Sequence, residues 1–404
     1  MTNFEEISWP VGVMEPLLPG EGKASAGLSD LVIDIVSEDR ALEQSLPPHI
    51  KRATAELVRS MNCYYSNLIE GHNTHPIDIE RALKRDYSAE PRKRELQLEA
   101  EAHIAVQKLI DADAGPPSAS VTSAEWLIWV HKEFCDRLPD SLLLAKDPDT
   151  GSTRQVKPGQ LRNGWVKVGA HIPPPPSDLP KFLARFAEAY EPAQLGRTRA
   201  LIATGAAHHR LLWIHPFFDG NGRVARLFSN AYLRQLGVCR SGLWSVSRGL
   251  ARRVEEYKNM LAAADDERRN DLDGRGTLSE RGLTLFCRFF LEICLDQVRF
   301  MASLLQTERL AERIEAHMRE EITLGRLPKG ADVLMRFAVR FGEFERGMAR
   351  QFIGYSDSQA RVVLKALLER GYLRSDSPKG AVHVGFPAEA AERWFPTLFP
   401  AKPT

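Results

Sequence analysis

His215-Pro216-Phe217-Phe218-Asp219-Gly220-Asn221-Gly222-Arg223-Val224-Ala225-Arg226 packs more chemistry into one stretch than any other part of this chain. Pro216 disfavours helix at the residue before it, so the helical pattern running in from 199 ends there and His215 falls at its C-terminal edge. Gly220 and Gly222 permit backbone conformations that aim successive N–H groups into one hollow, which opens on the positive end of the next helix. Such a loop is suited to holding an anion. Arg223 and Arg226 stand three apart on that helix, where they could neutralise further phosphate charge. Asp219 is a hard oxygen ligand of the kind that helps hold Mg2+ against phosphates. His215, with an ordinary pKa of about 6.5, is substantially neutral at pH near 7 and can take a proton from a hydroxyl. Base, metal ligand and anion cradle thus share one turn between two helices.

On both sides of this turn the apolar residues recur at helical spacing. Ile50, Ala53, Leu57, Met61, Tyr64 and Leu68 predict a helix from about Pro48, with further helices from Pro76, from Glu95 to Leu109, over 123–138, 180–192 and 279–322. Residues 199–236 predict two helices broken at Pro216 and Gly220. Residues 151–176 depart from the pattern: Gly151, Gly159, Gly164 and Gly169 surround Trp165-Val166-Lys167-Val168, and Pro173 to Pro176 end the stretch, which predicts a β-hairpin. Residues 1–45, with Pro16, Pro19, Gly20 and Gly22, read as an irregular leader. Within it Gly22-Lys23-Ala24-Ser25 is not a phosphate loop, because Leu17 and Ala24 stand where a Gly and a Ser or Thr are required. Residues 331–371 predict three short helices, the last N-capped by Ser356, followed by a hairpin from Tyr372-Leu373-Arg374 to Val382-His383-Val384. That is the order of a winged helix-turn-helix. The chain therefore divides into an N-terminal region, 1–110, a core, 111–325, and a C-terminal module, 326–404.

Composition narrows the function classes. The 404 residues carry 54 Lys plus Arg against 53 Asp plus Glu, which excludes a polybasic nucleic-acid arm and a generally acidic disordered chain. No apolar run approaches the ~18 residues of a membrane helix. The start MTNFEEISWP has neither a basic nor an apolar signal region, so a cytoplasmic protein is expected. Cys63, Cys135, Cys239, Cys287 and Cys294 are scattered and offer no zinc spacing, which fits free thiols in a reducing compartment.

The motif resembles the signature of the Fic family, His-Pro-Phe-x-Asp/Glu-Gly-Asn-Gly-Arg-x-x-Arg, and matches it at every fixed position. The resemblance runs over roughly residues 50–300. It implies a mainly α fold, a helical core with a small β-hairpin flap, whose members mostly transfer AMP from ATP to a Ser, Thr or Tyr hydroxyl of a protein. By that resemblance His215 is the general base, Asp219 the Mg2+ ligand, Gly220, Asn221 and Gly222 the anion hole for ATP, and Arg223 and Arg226 further phosphate contacts. Gly222 follows the adenylylating pattern, since the related Doc branch, which phosphorylates, carries Lys there.

Three more segments gain meaning from the likeness. Ser66-Asn67-Leu68-Ile69-Glu70-Gly71 reads by itself as a helix end stopped by Gly71. It is also similar to the Fic inhibitory motif, which implies that Glu70 pairs with Arg226, occludes the γ-phosphate position and keeps activity low, with Ser66 anchoring the helix. Val168-Gly169-Ala170-His171-Ile172-Pro173-Pro174 is similar to the family's flap, which implies main-chain pairing with a target segment and places Val168 and Gly169 beside ATP. Tyr257, in a helix from Arg253 to Leu261, is the expected adenine contact, although Ala262-Ala263-Ala264-Asp265 stands where the family often carries Asn.

A rival reading is a nucleotide-sensing, DNA-binding transcriptional regulator. Residues 331–385 hold nine Lys plus Arg and six Asp plus Glu, with Ser358, Gln359, Arg361 and Lys365 on the recognition helix and Arg374 and Lys379 at the wing. A sensor needs no proton acceptor, so His215 argues for the enzyme. Amphipathic helices at 282–322 could pair two copies into a homodimer, but packing within one chain is the commoner use of such a stripe.

Overall fold

Helical apolar stripes decide most of the architecture, and the computed structural model describes residues 8–146 and 151–399. The N-terminal part is α1 (Lys23–Ser45), α2 (Pro48–Ile69), α3 (Pro76–Leu83) and α4 (Pro91–Asp111). Proline opens α2, α3 and α4, where its missing N–H costs no hydrogen bond. Next come α5 (Ala124–Cys135), a short antiparallel ladder β1 (Leu144–Lys146) and β2 (Thr153–Gln155), α6 (Leu179–Tyr190), α7 (Arg197–Ile214) and α8 (Asn221–Gln235). Then follow α9 (Val246–Arg252), α10 (Val254–Asp265), α11 (Glu280–Leu304) and α12 (Thr307–Thr323). The chain closes with α13 (Ala331–Phe341), α14 (Ala349–Ile353), α15 (Asp357–Glu369), β3 (Leu373–Arg374), β4 (His383–Val384) and α16 (Ala388–Trp394).

α7 is the central rod, packed by α8, α11, α6 and α1. Its Ala200, Ala203, Ala206 and Ala207 are fully buried, and a Cβ on Gly205 would come 3.2 Å from the Cα of Cys287 on α11. Small residues therefore let α11 close on α7, and the turn between α7 and α8 is held on a rigid base.

Of the irregular leader expected over residues 1–45, residues 1–7 lie outside the described residues, and the irregular reading is corrected over Lys23–Ser45, which form α1. Leu28, Val32, Ile35, Leu42 and Leu46 are all buried and α1 lies along α11. The Pro and Gly residues that suggested irregularity precede Lys23 and leave the stripe behind them intact. The hairpin expected near 164–172 is also smaller than predicted. Two-stranded pairing lies earlier, with Leu144 opposite Gln155 and Lys146 opposite Thr153. The later segment keeps a single bridge, Val168 to His171, closed over Gly169 at φ 61°. Its polar groups are drawn instead to the end of α7, as described below.

In the C-terminal module Ser356 and Gln359 form a capping box: each side chain accepts the other's backbone N–H, at 3.4 and 3.2 Å. β3 pairs with β4 through Leu373–Val384 and Arg374–His383. The module leans on α2. Tyr65 donates its hydroxyl to the Leu398 carbonyl at 2.9 Å, the Phe399 ring lies 5.7 Å from Tyr64 and 6.5 Å from Tyr65, and Arg374 pairs with Glu56. Arg374, placed by the sequence at the wing of the rival DNA-binding reading, is thus tied to the protein itself. The five cysteines are unpaired, and no described helix is long and apolar enough to cross a membrane.

Candidate active site

α7 ends at Ile214, and His215 caps it in the left-handed conformation, φ 49° and ψ 62°, which non-glycine residues adopt rarely. Its Nδ1 is buried without a hydrogen-bond partner. Burial, then the charge of Arg162, pulls the imidazole pKa down to about 4. The ring is therefore neutral near pH 7 and able to accept a proton.

The last carbonyls of a helix lack partners within it. Here the loop 162–174 supplies them. Arg162 Nε donates to the His215 carbonyl at 2.8 Å, and Nη2 reaches the Ile214 carbonyl at 3.4 Å and the Pro174 carbonyl at 2.5 Å. His171 Nε2 lies 2.7 Å from the Trp213 carbonyl. Sequence reasoning missed Arg162, because one arginine between glycines carries no local signal. Val168 and Gly169 lie at the tip of this loop, Val168 being 42% exposed, and these anchors tie the loop to the catalytic turn.

The turn itself is closed by Asn221, whose Oδ1 accepts the Phe217 N–H at 3.0 Å while Nδ2 donates to the Phe217 carbonyl at 2.9 Å. Its side chain thus clasps the loop. Gly220 takes φ 82° as the N-cap of α8. His131 on α5, also missed, supports the turn from below: its ring stacks on Phe217 at 3.8 Å and 5°. The Gly159 N–H donates to Nδ1 at 2.9 Å, so Nε2 carries the proton and donates to the Asp219 carbonyl at 3.2 Å. Burial holds the His131 pKa down to about 4, which preserves this neutral tautomer. The sequence showed only a histidine in an apolar helix.

The two motif arginines have different partners. Arg223 pairs with Glu99 of α4, a carboxylate with no exposed surface, whose other oxygen lies 2.7 Å from His72 Nδ1. Arg226 Nε donates to Ser66 Oγ at 2.9 Å, and Nη2 donates to the Ser66 carbonyl at 3.1 Å and to Glu70 Oε1 at 2.5 Å. Glu70 itself is the C-cap of α2: His72 N–H bonds the Asn67 carbonyl, Gly71 N–H bonds that of Leu68, and Gly71 sits at φ 83°, a Schellman end. A Cβ on Gly222 would collide with Glu70 Oε1. Glycine there lets the carboxylate lie over the first turn of α8, where an anion is favoured. Burial pushes the Glu70 pKa up, but Arg226 and then Arg223 outweigh it and hold the carboxyl below its usual range.

Asp219 is the open acid of the turn, its side chain 45% exposed and 3.8 Å from Arg223. Among the described residues no group of three or more His, Cys, Asp or Glu could hold a metal unaided. The donor set suits a cation held by one carboxylate together with phosphate and water oxygens, as Mg2+ commonly is. Tyr257, the expected adenine contact, is packed in the core. It is 3% exposed, its hydroxyl lies 2.7 Å from His208 Nε2, and His208 Nδ1 continues to Ser229 at 2.8 Å.

Residues 121–233 match the Fic/DOC family. A protein adenylyltransferase Fic from Nematostella vectensis is 28% identical over 214 residues, 52% of this chain and 46% of that protein. A second, from Drosophila mojavensis, is 38% identical over 87 residues, 22% of this chain and 17% of that protein. The chain thus spans less than half the length of these relatives. Among solved structures, a Fic family protein from Desulfovibrio desulfuricans G20 superposes with a TM-score of 0.53 at 20% identity, covering 91% of this chain and 98% of that one. Fic-1 from C. elegans gives 0.51 at 15% identity, covering 70% and 74%. Those two likenesses establish the fold, and the glycine-lined turn between α7 and α8 is the part of it that bears the signature residues. Residues 121–233, which carry this turn, are thus similar to the Fic/DOC family.

Proposed function

We propose that this chain is a protein adenylyltransferase, moving AMP from ATP to a Ser, Thr or Tyr hydroxyl of a protein, its own included, and that Glu70 keeps the rate low at rest. One observation carries the reading: a neutral histidine with an unengaged ring nitrogen adjoins a glycine-lined helix N-terminus over which a carboxylate lies. The name borne by the relatives supports it.

In this reading His215 takes the proton of the target hydroxyl as its oxygen bonds to the α-phosphorus and the bond to the β-phosphate oxygen breaks, releasing pyrophosphate. The base contributes ~10²–10⁴ in rate, and the rest is positioning and charge neutralisation. Asp219 would hold Mg2+, which when bound draws charge off the phosphates. Arg226 would receive a phosphate oxygen at the place Glu70 occupies, so the carboxylate and the nucleotide compete for one guanidinium. The flap loop 164–172 would register the target.

Intact-mass analysis of Glu70→Gly with Mg-ATP, beside the Glu70→Gly/His215→Ala double variant, tests the proposal. A gain of AMP in the first and none in the second supports it. No adduct in either, or an adduct of phosphate alone, overturns it. The regulator reading has less support, since Arg374 is engaged by Glu56.

A further inference from the structure

We infer that Arg162 is the positioning residue for His215, fixing the proton acceptor and the flap loop in one geometry. The inference rests on the adenylyltransferase reading and goes beyond its catalytic residues.

A helix that ends in a left-handed residue usually places glycine there. α7 places His215, so the cost of that backbone is met by contacts elsewhere. Arg162 provides them. Its guanidinium donates to the carbonyls of His215 at 2.8 Å and Ile214 at 3.4 Å on the catalytic turn, and to those of Pro174 at 2.5 Å and Gly164 at 3.2 Å on the flap loop. Its own backbone N–H donates to the Pro216 carbonyl at 2.9 Å. Of these five bonds three cross to the catalytic turn and two brace the flap loop, and each ends on a backbone oxygen.

The same side chain is 2% exposed, and none of the described ion pairs gives it a carboxylate partner. Burying a cation without a counter-ion is expensive. Burial accordingly pulls the Arg162 pKa down to about 10, which leaves it charged near pH 7. Such a group persists where its shape is required: a planar fork of five donors that a lysine's single ammonium cannot reproduce.

The cation also acts on the base. The charged and titratable groups felt by His215 are Arg162 and His171 of the flap loop and Glu70 of α2. Arg162 disfavours the protonated imidazole, so deleting its charge raises the His215 pKa, whereas a charge-preserving change leaves it low.

The test compares Arg162→Lys and Arg162→Met in the full chain carrying Glu70→Gly. Folding is checked by thermal melting and by ATP binding measured calorimetrically. Histidine NMR titration reads the His215 pKa without any need for turnover. The expected result is a kcat loss on the order of 10²-fold in both variants with KM for ATP little changed. The His215 titration should move to higher pH in Arg162→Met and stay in place in Arg162→Lys. Full kcat in Arg162→Lys overturns the inference, as does a His215 titration that is the same in the parent and in Arg162→Met. If the parent transfers no AMP, the adenylyltransferase reading fails by itself, while the NMR comparison still decides whether Arg162 sets the state of His215. Should Arg162→Met not fold, Arg162→Gln serves as the neutral variant.

Discussion

Arg223 and Arg226 lie one turn apart on α8, yet the regions they face differ in kind. On the α4 side Arg223 meets Glu99, whose side chain has no exposed surface and which also reaches His72. On the α2 side Arg226 meets Glu70, 29% exposed at the capped end of its helix. The first carboxylate comes from the middle of a packed helix and cannot leave without opening the fold. The second sits at a helix terminus over the first turn of α8, where the proposed function has another anion take its place. Two arginines of one motif are thus set apart by the burial of their partners.

The sharpest way to break this comparison is to delete both carboxylates in turn. Glu99→Ala leaves a buried guanidinium uncompensated and should cost ~3–5 kcal/mol of stability by denaturant unfolding. A loss below about 1 kcal/mol would show that Arg223 finds water or another partner, and the division would fail. Glu70→Gly should do the opposite, raising self-labelling by AMP at least about tenfold, or ~1.4 kcal/mol, with little change in unfolding midpoint. Equal stability losses in the two variants would place both carboxylates in the scaffold.

Ser66→Ala sharpens the α2 side. It removes the hydroxyl that accepts from Arg226 Nε but leaves Glu70 in place, so a smaller effect, ~1–2 kcal/mol in stability and a partial rise in labelling, is expected. The smallest expected effect is that of pH. The folded Glu70 carboxyl titrates below its unfolded value of about 4.3, so its contact with Arg226 is fully present above that value and is lost only as pH falls through the folded pKa. His215, pulled down to about 4, is neutral over the same upper range. The labelling rate of Glu70→Gly should therefore be flat from about pH 6 to 8 in its acid limb. A limb centred near pH 6.5 would mean that His215 is solvated when it acts.

Much of the site was legible from short-range rules. Pro216 stops α7, Gly71 closes α2 in a Schellman end, and Ser356 begins α15, because caps and turns depend on residues within a few positions of each other. The pairing of Glu70 with Arg226 was reached only through a resemblance to other proteins, and nothing in the local pattern required it. Tyr257 shows the opposite limit, since the sequence placed it in a helix but did not show that His208 would take its hydroxyl.

The sequence by itself determined the turn at 215–222, the helices that flank it and the residue types able to accept a proton and hold an anion. Tertiary structure alone decided that α1 would cover α11, that Arg162 and His131 would hold the turn, and that Glu99 and Glu70 would divide the arginines. The physical reason is range. A backbone turn is dictated by neighbours, whereas the Arg223–Glu99 contact joins residues 124 apart, and its worth depends on burial that exists only after the helices have packed.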